Sequence, residues 1–295
     1  MAGKKFAVFD IDGTIARSAL FFQVVDELIV RGYLPAEYRE KLDEKYERYR
    51  QRTHAGAFNE YAQVSVEALL GNVHKLRAAD YREAVDAVTA KTSKYVYTYT
   101  RDLIRKLKDQ GYFLIALSGS EMYSVKRFTG QFDFDVAIGE LYHEKDGVFT
   151  GEIEEVIHKK DIFIKQLVSE HGLSYKSSIA VGDSIGDKEM LEIVEYPVAF
   201  NPEQRLYDLA LKNKWKIVVE RKNVIYELVP RRTCLCGPDH TKSAPGSLTS
   251  PLTIAKAMPR DMPDPSSTTP EQSSCRKCSC GGEPGPAKDG YWLAG

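Results

Sequence analysis

Residues Phe6–Thr14 read FAVFDIDGT. The apolar run Phe6-Ala7-Val8-Phe9 stops abruptly at Asp10, as a short strand buried on both faces of a sheet does. Asp10 then falls at the carboxyl end of that strand, where open α/β sheets place their ligands. Asp12 follows two residues later, then Gly13 and Thr14. Two carboxylates this close repel each other unless a cation lies between them or one is protonated. Hard oxygen ligands at this spacing suit Mg2+, which keeps several waters and takes one or two carboxylates plus a substrate phosphate. Gly13 lets the chain turn sharply beside the ligand. D-x-D-G-T alone also fits a strand ending in a solvated turn, so the rest of the chain must decide.

Beyond Thr14 the pattern turns helical. Leu20, Val24 and Leu28 recur at spacing four, flanked by Phe21 and Val25, and predict an amphipathic helix ending near Gly32. Pro35 opens a charge-laced helix with Tyr38, Leu42, Tyr46 and Tyr49 at helical spacing, a solvated face over a modest core. Helices are expected over Phe58–Leu70 and Tyr81–Thr92, and no convincing strand over 16–100. That stretch reads as a small helical unit inserted straight after the acidic turn.

An α/β pattern then resumes. A helix over Arg101–Gln110 stops at Gly111. Strands are predicted over Tyr112–Leu117, Phe134–Ile138, Ser178–Val181, Pro197–Phe200 and Lys216–Val219. Helices are predicted over Glu121–Phe128 and over Lys160–Gly172, the latter with Ile162, Ile164, Leu167 and Val168 inward. Asp146-Gly147 suggests a hairpin. The alternation predicts an α/β fold, a Rossmann-like parallel sheet with helices on both faces, made of residues 1–15 and 101–230 around the helical insert.

The whole chain narrows the function. Its 295 residues suffice for a sizeable core and one or two folded units. With 28% charged residues and a formal net charge of −1, it offers no electrostatic case for nucleic acid or an anionic membrane. No apolar run approaches the ~18 residues of a membrane span. The amino terminus enters the first strand at once, without the apolar region of a signal peptide, so a cytoplasmic protein is expected. From Arg231 the chain is rich in Pro, Gly, Ser and Thr and is expected to be disordered over 231–295. All five cysteines, Cys234, Cys236, Cys275, Cys278 and Cys280, lie there. Their pairs invite a zinc site, but the long low-complexity gap between them favours free thiols on an unstructured tail.

Four segments converge on one sheet edge. Asp10 and Asp12 follow the first strand; Ser118-Gly119 follows the second and opens a helix, a ready phosphate site. Asp183 in VGDSIGD follows the fourth, and Lys159 or Lys160 begins the preceding helix. Taken singly, each is a common turn, cap or solvated helix start. Together they point to one site.

The set D-I-D-G-T, L-S-G-S, H-K-K-D and V-G-D-S-I-G-D resembles the haloacid dehalogenase superfamily of phosphohydrolases over about residues 4–230. The insert between the first two motifs is similar to that of its phosphoserine-phosphatase-like branch. The resemblance implies a Mg2+-dependent phosphatase acting on a small phosphorylated metabolite. It implies that Asp10 is the nucleophile that forms an aspartyl-phosphate, and Asp12 the general acid and then base. Asp10, Asp12, through its backbone carbonyl, and Asp183 would hold Mg2+, with Asp187 supporting the metal shell or the lysine. Thr14, Ser118, Gly119 and Lys160 would hold phosphoryl oxygens, Lys160 being preferred to Lys159 by its distance in sequence to Asp183.

The insert departs from phosphoserine phosphatase. Ile15–Ala19 lacks the glutamate that receives the substrate ammonium there, and NEYAQVSVEALL, near Phe58, lacks the arginine for the carboxylate. Both charges of phosphoserine would go unpaired, so another substrate is expected. Phe21, Phe22, Tyr61 and Arg17 are candidates to line the pocket, although aromatic residues at helical spacing are more often core. Phosphoryl transfer between organic molecules, as in the superfamily's mutases, would use the same nucleophile. A non-catalytic phospho-switch fits less well, because a receiver domain is about half this length and has no helical insert.

Overall fold

The computed structural model describes residues 3–230 and 252–259. β1 (Lys4–Phe9) is the fourth strand in the order of a nine-stranded sheet. Its parallel neighbours are β2 (Phe113–Glu121) and β5 (Leu173–Gly182), with Phe9 level with Ala116 on one side and Val181 on the other. Beyond β2 come β3 (Val136–Lys145) and β4 (Val148–Glu154), which close a hairpin at Asp146-Gly147. Beyond β5 come β6 (Tyr196–Phe200), β7 (Lys216–Arg221), β8 (Val224–Pro230) and β9 (Leu252–Pro259). β3, β2, β1, β5, β6 and β7 run parallel, while β4, β8 and β9 run antiparallel to their neighbours. The chain moves outward from β1 first toward β2 and then toward β5. The strand order therefore switches at β1, and a crevice opens at its carboxyl end.

Period-two alternation builds the layers. Ala7 and Phe9 face α5 (Thr98–Asp109) and α6 (Met122–Thr129), joining Leu103, Leu107, Val125 and Phe128 in one core. Phe6 and Val8 face the other side with Ile164 of α7 (Lys160–His171), Leu191 of α8 (Lys188–Glu192) and Leu206 of α9 (Gln204–Asn213). A strand whose two faces are both covered needs the continuous apolar run that opens this chain.

The insert is helical, as expected: α1 (Leu20–Val30), α2 (Glu37–Gln51), α3 (Ala57–Leu70) and α4 (Ala78–Thr92). Its core of Val24, Leu28, Leu69, Tyr81 and Val85 also takes in Tyr142 and Phe149 from the β3–β4 hairpin. β3 is twice the length expected, so that its far half leaves the sheet and becomes a prop under the insert. The two chain crossings are bonded to each other. Arg17 N donates to Tyr95 O (3.0 Å) and Tyr97 N to Ile15 O (2.9 Å). Buried Glu220 on β7 ties down both: it accepts Arg17 Nη2 (3.3 Å) and the Tyr99 N–H (2.8 Å) at the start of α5.

Some expectations are corrected. Ile162 is 58% exposed and points outward, because α7 buries the stripe of Lys160, Ile164 and Leu167 instead. β8 was not expected, since the turn before it, Lys222-Asn223, carries no glycine; Lys222 itself takes the left-handed conformation, with φ 53°. The tail is not wholly without structure: LTIAKAMP, a glycine-free window opening on Leu252, Thr253 and Ile254, adds β9 to the edge of β8. The five cysteines lie outside the described residues. Among the described residues no helix is long and apolar enough to cross a membrane.

Deleting residues 231–295 removes one edge strand and no described core side chain. The truncated chain is expected to keep its far-ultraviolet circular dichroism. Its unfolding midpoint should fall by only about 2–4 °C, the shift of ~1 kcal/mol for a domain of this size. A much larger fall would make β9 part of the cooperative core.

Candidate active site

The carboxyl ends of β1, β2 and β5 and the start of α7 meet in the crevice. Asp10 is 6% exposed and Lys160 2%. Lys160 Nζ donates to Asp10 Oδ1 (2.7 Å) and Asp187 Oδ1 (2.6 Å). Lys159 is exposed. Carboxylate oxygens of Asp10, Asp183 and Asp187 come within 4.8 Å of one another. Burial first, then Asp187, raises the Asp10 carboxyl to about 7 despite Lys160. Burial, then Asp10 and Asp187, holds Asp183 well above the usual carboxylate range. Burial disfavours the charge on Lys160, yet Asp10 and Asp187 outweigh it and keep the ammonium protonated.

Each acid has a distinct anchorage. Asp187 Oδ2 accepts the N–H groups of Asp183 and Ser184, both at 3.0 Å, so its second oxygen is spent on the turn after β5. A Cβ at Gly182 would lie 2.5 Å from the Asp187 side chain, which is why the strand must end in glycine there. Gly13 has φ +81°, and a Cβ on it would sit 2.1 Å from Asp183 Oδ2. Asp183 itself is approached by the Thr14 hydroxyl at 3.4 Å. Asp10 and Asp183 are thus the less encumbered oxygen donors, and Asp187 steadies both the lysine and the turn.

Two buried carboxylates, Asp10 and Asp187, and a partly buried third, Asp183, face one buried ammonium and leave negative charge uncompensated at close quarters. An oxygen-coordinated divalent cation fits that donor set. Asp10 and Asp183 would hold it directly, with Asp187 behind them.

Asp12 belongs to a second cluster. Its Oδ1 accepts the Leu20 N–H at the start of α1 (2.5 Å), and its Oδ2 accepts Ser120 Oγ (2.5 Å) and Ser118 Oγ (3.5 Å). Burial raises its carboxyl above the ordinary value, against these hydrogen bonds. An acid held in place by hydroxyl and backbone donors is suited to proton transfer.

One expectation is corrected. β2 runs on to Glu121, so α6 starts at Met122, three residues beyond Gly119. Its N-terminus is already capped by the Glu121 side chain, which accepts Tyr123 N (2.9 Å) and Ser124 N (3.2 Å), and is closed to phosphate. Thr14 is fully buried, with its hydroxyl turned to Asp183. Sequence reading also missed Ser120. Extending β2 through S-G-S would have put Ser118 and Ser120 on one face by alternation. Gly119 lies under the Ile157 side chain, which a Cβ there would meet at 3.0 Å.

These residues open into a cavity of about 1230 Å³ roofed by the insert. Phe21, Phe22, Tyr61 and Arg17 all line it. Arg17 is tethered at one end to Glu220 and lies 5.6 Å from the Tyr97 ring centroid.

The fold and the acid set define a class, and the comparisons agree. Residues 7–192 match the model of the haloacid dehalogenase-like hydrolase family. The chain belongs to that family. It is 24% identical to a phosphoserine phosphatase of Archaeoglobus fulgidus over 70% of this chain, spanning 55% of that protein's length. It is 22% identical to a phosphoserine phosphatase of Methanocaldococcus jannaschii over 75% of this chain and 94% of the other. A crystal structure of a protein of unknown function from Bordetella pertussis superposes with a TM-score of 0.60 at 22% identity, covering 73% of this chain and 98% of that one. This likeness establishes the fold.

Two substitutions test the charge arrangement without any turnover. Mg2+ is expected to raise the unfolding midpoint of the wild type, and Asp183→Ala to abolish that increment. Lys160→Ala should cost about 3–5 kcal/mol of stability in metal-free buffer, because it leaves two buried carboxylates without their counter-charge. Thermal unfolding with and without Mg2+ measures both. An unchanged Mg2+ increment in Asp183→Ala would remove that residue from the metal site.

Proposed function

We propose that the protein is a Mg2+-dependent phosphoric monoester hydrolase that works through an aspartyl-phosphate on Asp10. The observation that carries this reading is the pairing of Asp10 with a fully buried, protonated Lys160 at the switch point of the sheet, with hydroxyl-held Asp12 beside it.

The chemistry follows from the positions. Asp10 and Asp183 would hold a divalent cation, which when bound would supply positive charge to the phosphoryl oxygens and to the nucleophile. Lys160 neutralises Asp10 and keeps a carboxylate oxygen unprotonated for attack on phosphorus. As the Asp10–phosphorus bond forms, the bond to the ester oxygen breaks, and Asp12 delivers its proton to the departing alcohol. In the second half Asp12 takes a proton from water, the water oxygen attacks phosphorus, and the Asp10 carboxylate is released. Ser118 Oγ and the Gly119 N–H supply neutral donors to the phosphoryl oxygens. The negative charge spread over those oxygens makes positioning and cations the main source of rate.

The substrate is a phosphorylated metabolite other than phosphoserine. Ile15–Ala19 contains no acid, and the cavity acids Asp26 and Glu27 are already matched by Arg39 and by Arg31 and Lys91. Arg17, the basic residue of the first crossing, is committed to Glu220. Neither the first crossing nor α1 offers an unmatched partner to the ammonium or the carboxylate of a phosphoserine zwitterion.

Asp10→Asn is expected to abolish turnover of a chromogenic phosphate ester and to prevent phosphoenzyme formation. Asp12→Asn should slow phosphorylation and dephosphorylation alike, each by ~100- to 10,000-fold. Rapid-quench kinetics with Mg2+ separates the two steps. Appreciable turnover by purified Asp10→Asn, with contaminating phosphatase excluded, would overturn the assignment.

A further inference from the structure

The insert contains a second set of large side chains that its own core does not use. Its core is aliphatic apart from Tyr38, Tyr81, Tyr142 and Phe149, and excludes Phe22, Tyr46, Tyr49 and Phe58. Those four, with Tyr61, form a connected aromatic cluster. Phe22 and Tyr61 have ring centroids 4.9 Å apart, Tyr49 and Phe58 5.2 Å, Tyr46 and Tyr61 5.3 Å, and Phe22 and Phe58 5.8 Å. Three helices contribute: α1 sends Phe22, α2 sends Tyr46 and Tyr49, and α3 sends Phe58 and Tyr61. Tyr46, Tyr49 and Phe58 remain 46%, 40% and 41% exposed.

All five rings line the cavity that holds Asp10, Asp12 and Ser118. The cavity's size, about 1230 Å³, exceeds the roughly 300–1,000 Å³ of ordinary small-molecule sites. A phosphoryl group on Asp10 occupies one end, so the alcohol half of the ester extends under the insert.

The charges on that wall say what kind of alcohol fits. Arg39 Nη1 pairs with Asp26 (2.6 Å) and Asp43 (3.5 Å), while Arg31 Nε (2.8 Å) and Lys91 Nζ (3.2 Å) pair with Glu27. The charges that α1 and α2 bring beside the rings are matched within the protein. The remaining cavity acids outside the Asp10 and Asp12 clusters, Glu140 and Glu155, come from β3 and the segment after β4, so the surface that α1, α2 and α3 present is ring faces and edges. Aromatic pairs of this geometry favour another ring in offset or edge-on contact.

We infer that Phe22, Tyr46, Tyr49, Phe58 and Tyr61 form the leaving-group subsite of the enzyme and select phosphomonoesters whose alcohol carries an uncharged aromatic group. This rests on the phosphatase reading above for the position of the phosphoryl group. It adds the class of substrate.

The test compares 2-phenylethyl phosphate with ethyl phosphate, whose alcohols are of similar acidity, so that their ratio reads recognition of the ring. The wild type is expected to favour the phenylethyl ester in kcat/KM by about 10-fold or more, as removal of a phenyl ring from water allows. In Tyr49→Ala/Phe58→Ala, checked for folding by circular dichroism, that ratio should fall toward one. A wild type without preference, or a preference that the double variant retains, overturns the subsite while leaving the hydrolase reading intact. Calorimetric binding of 2-phenylethylphosphonate and ethylphosphonate in the presence of Mg2+ gives an arm independent of turnover. If neither ester is hydrolysed but the phenyl compound binds more tightly to the wild type alone, the subsite stands and the hydrolase reading falls. Equal binding of the two phosphonates overturns the subsite.

Discussion

The protein is arranged around one electrostatic problem. Asp10, Asp183 and Asp187 are brought together at the end of the central strands, and a single ammonium, Lys160, is buried among them. Breaking a buried ion pair by removing one partner is costly, because the remaining charge keeps its desolvation penalty. The fold therefore invests heavily in holding the lysine. Lys160 is the first residue of α7, and its buried stripe continues through Ile164 and Leu167 into the sheet. Asp187 is clamped in turn by two backbone N–H groups of the loop after β5. A cluster with more acid than base, rigid around its lysine, is electrostatically suited to an oxygen-coordinated cation.

Much of this was legible in the residues because it depends on local rules. An apolar run ending in acid places Asp10 at a strand end, and glycine at 13 marks a turn that only glycine can make beside Asp183. Hydrophobic period separated the insert from the sheet at both crossings. What escaped depended on partners distant in the chain. The Glu121 cap was hidden because strand β2 runs four residues past its apolar portion, stabilised there by β3 rather than by its own propensity. β8 and β9 stabilise each other and the edge of β7, so neither announces itself in a window of its own. The tyrosine stripe of α2 was read as one face. The structure divides it, with Tyr38 and Leu42 in the core and Tyr46 and Tyr49 over the cavity.

The insert works in two directions. Its aliphatic core packs against the far half of the β3–β4 hairpin, which belongs to the sheet by connection and to the insert by contact. Its aromatic side looks into the cavity. At the base, Leu20 gives the first helix a direct hydrogen bond to Asp12. The position of α1 and the orientation of the Asp12 carboxyl are therefore one geometric variable. Any displacement of the insert is felt at Asp12 before it reaches Asp10.

Glu220 has a bearing on how the molecule comes to be made. It closes on Arg17 across 203 positions and on Tyr99 across 121. Bringing such distant groups together incurs a loop-closure cost that only a largely formed tertiary structure offsets. During synthesis the helices of the insert emerge early and are able to gather their own aliphatic core. The strand that carries Glu220 emerges more than a hundred residues later. Until then the crossings lack their anchor on the core, although β5, Lys160, Asp183 and Asp187 have already emerged. The junction between insert and sheet is consequently among the last parts of the described chain to be secured, after every residue of the acidic cluster has been made.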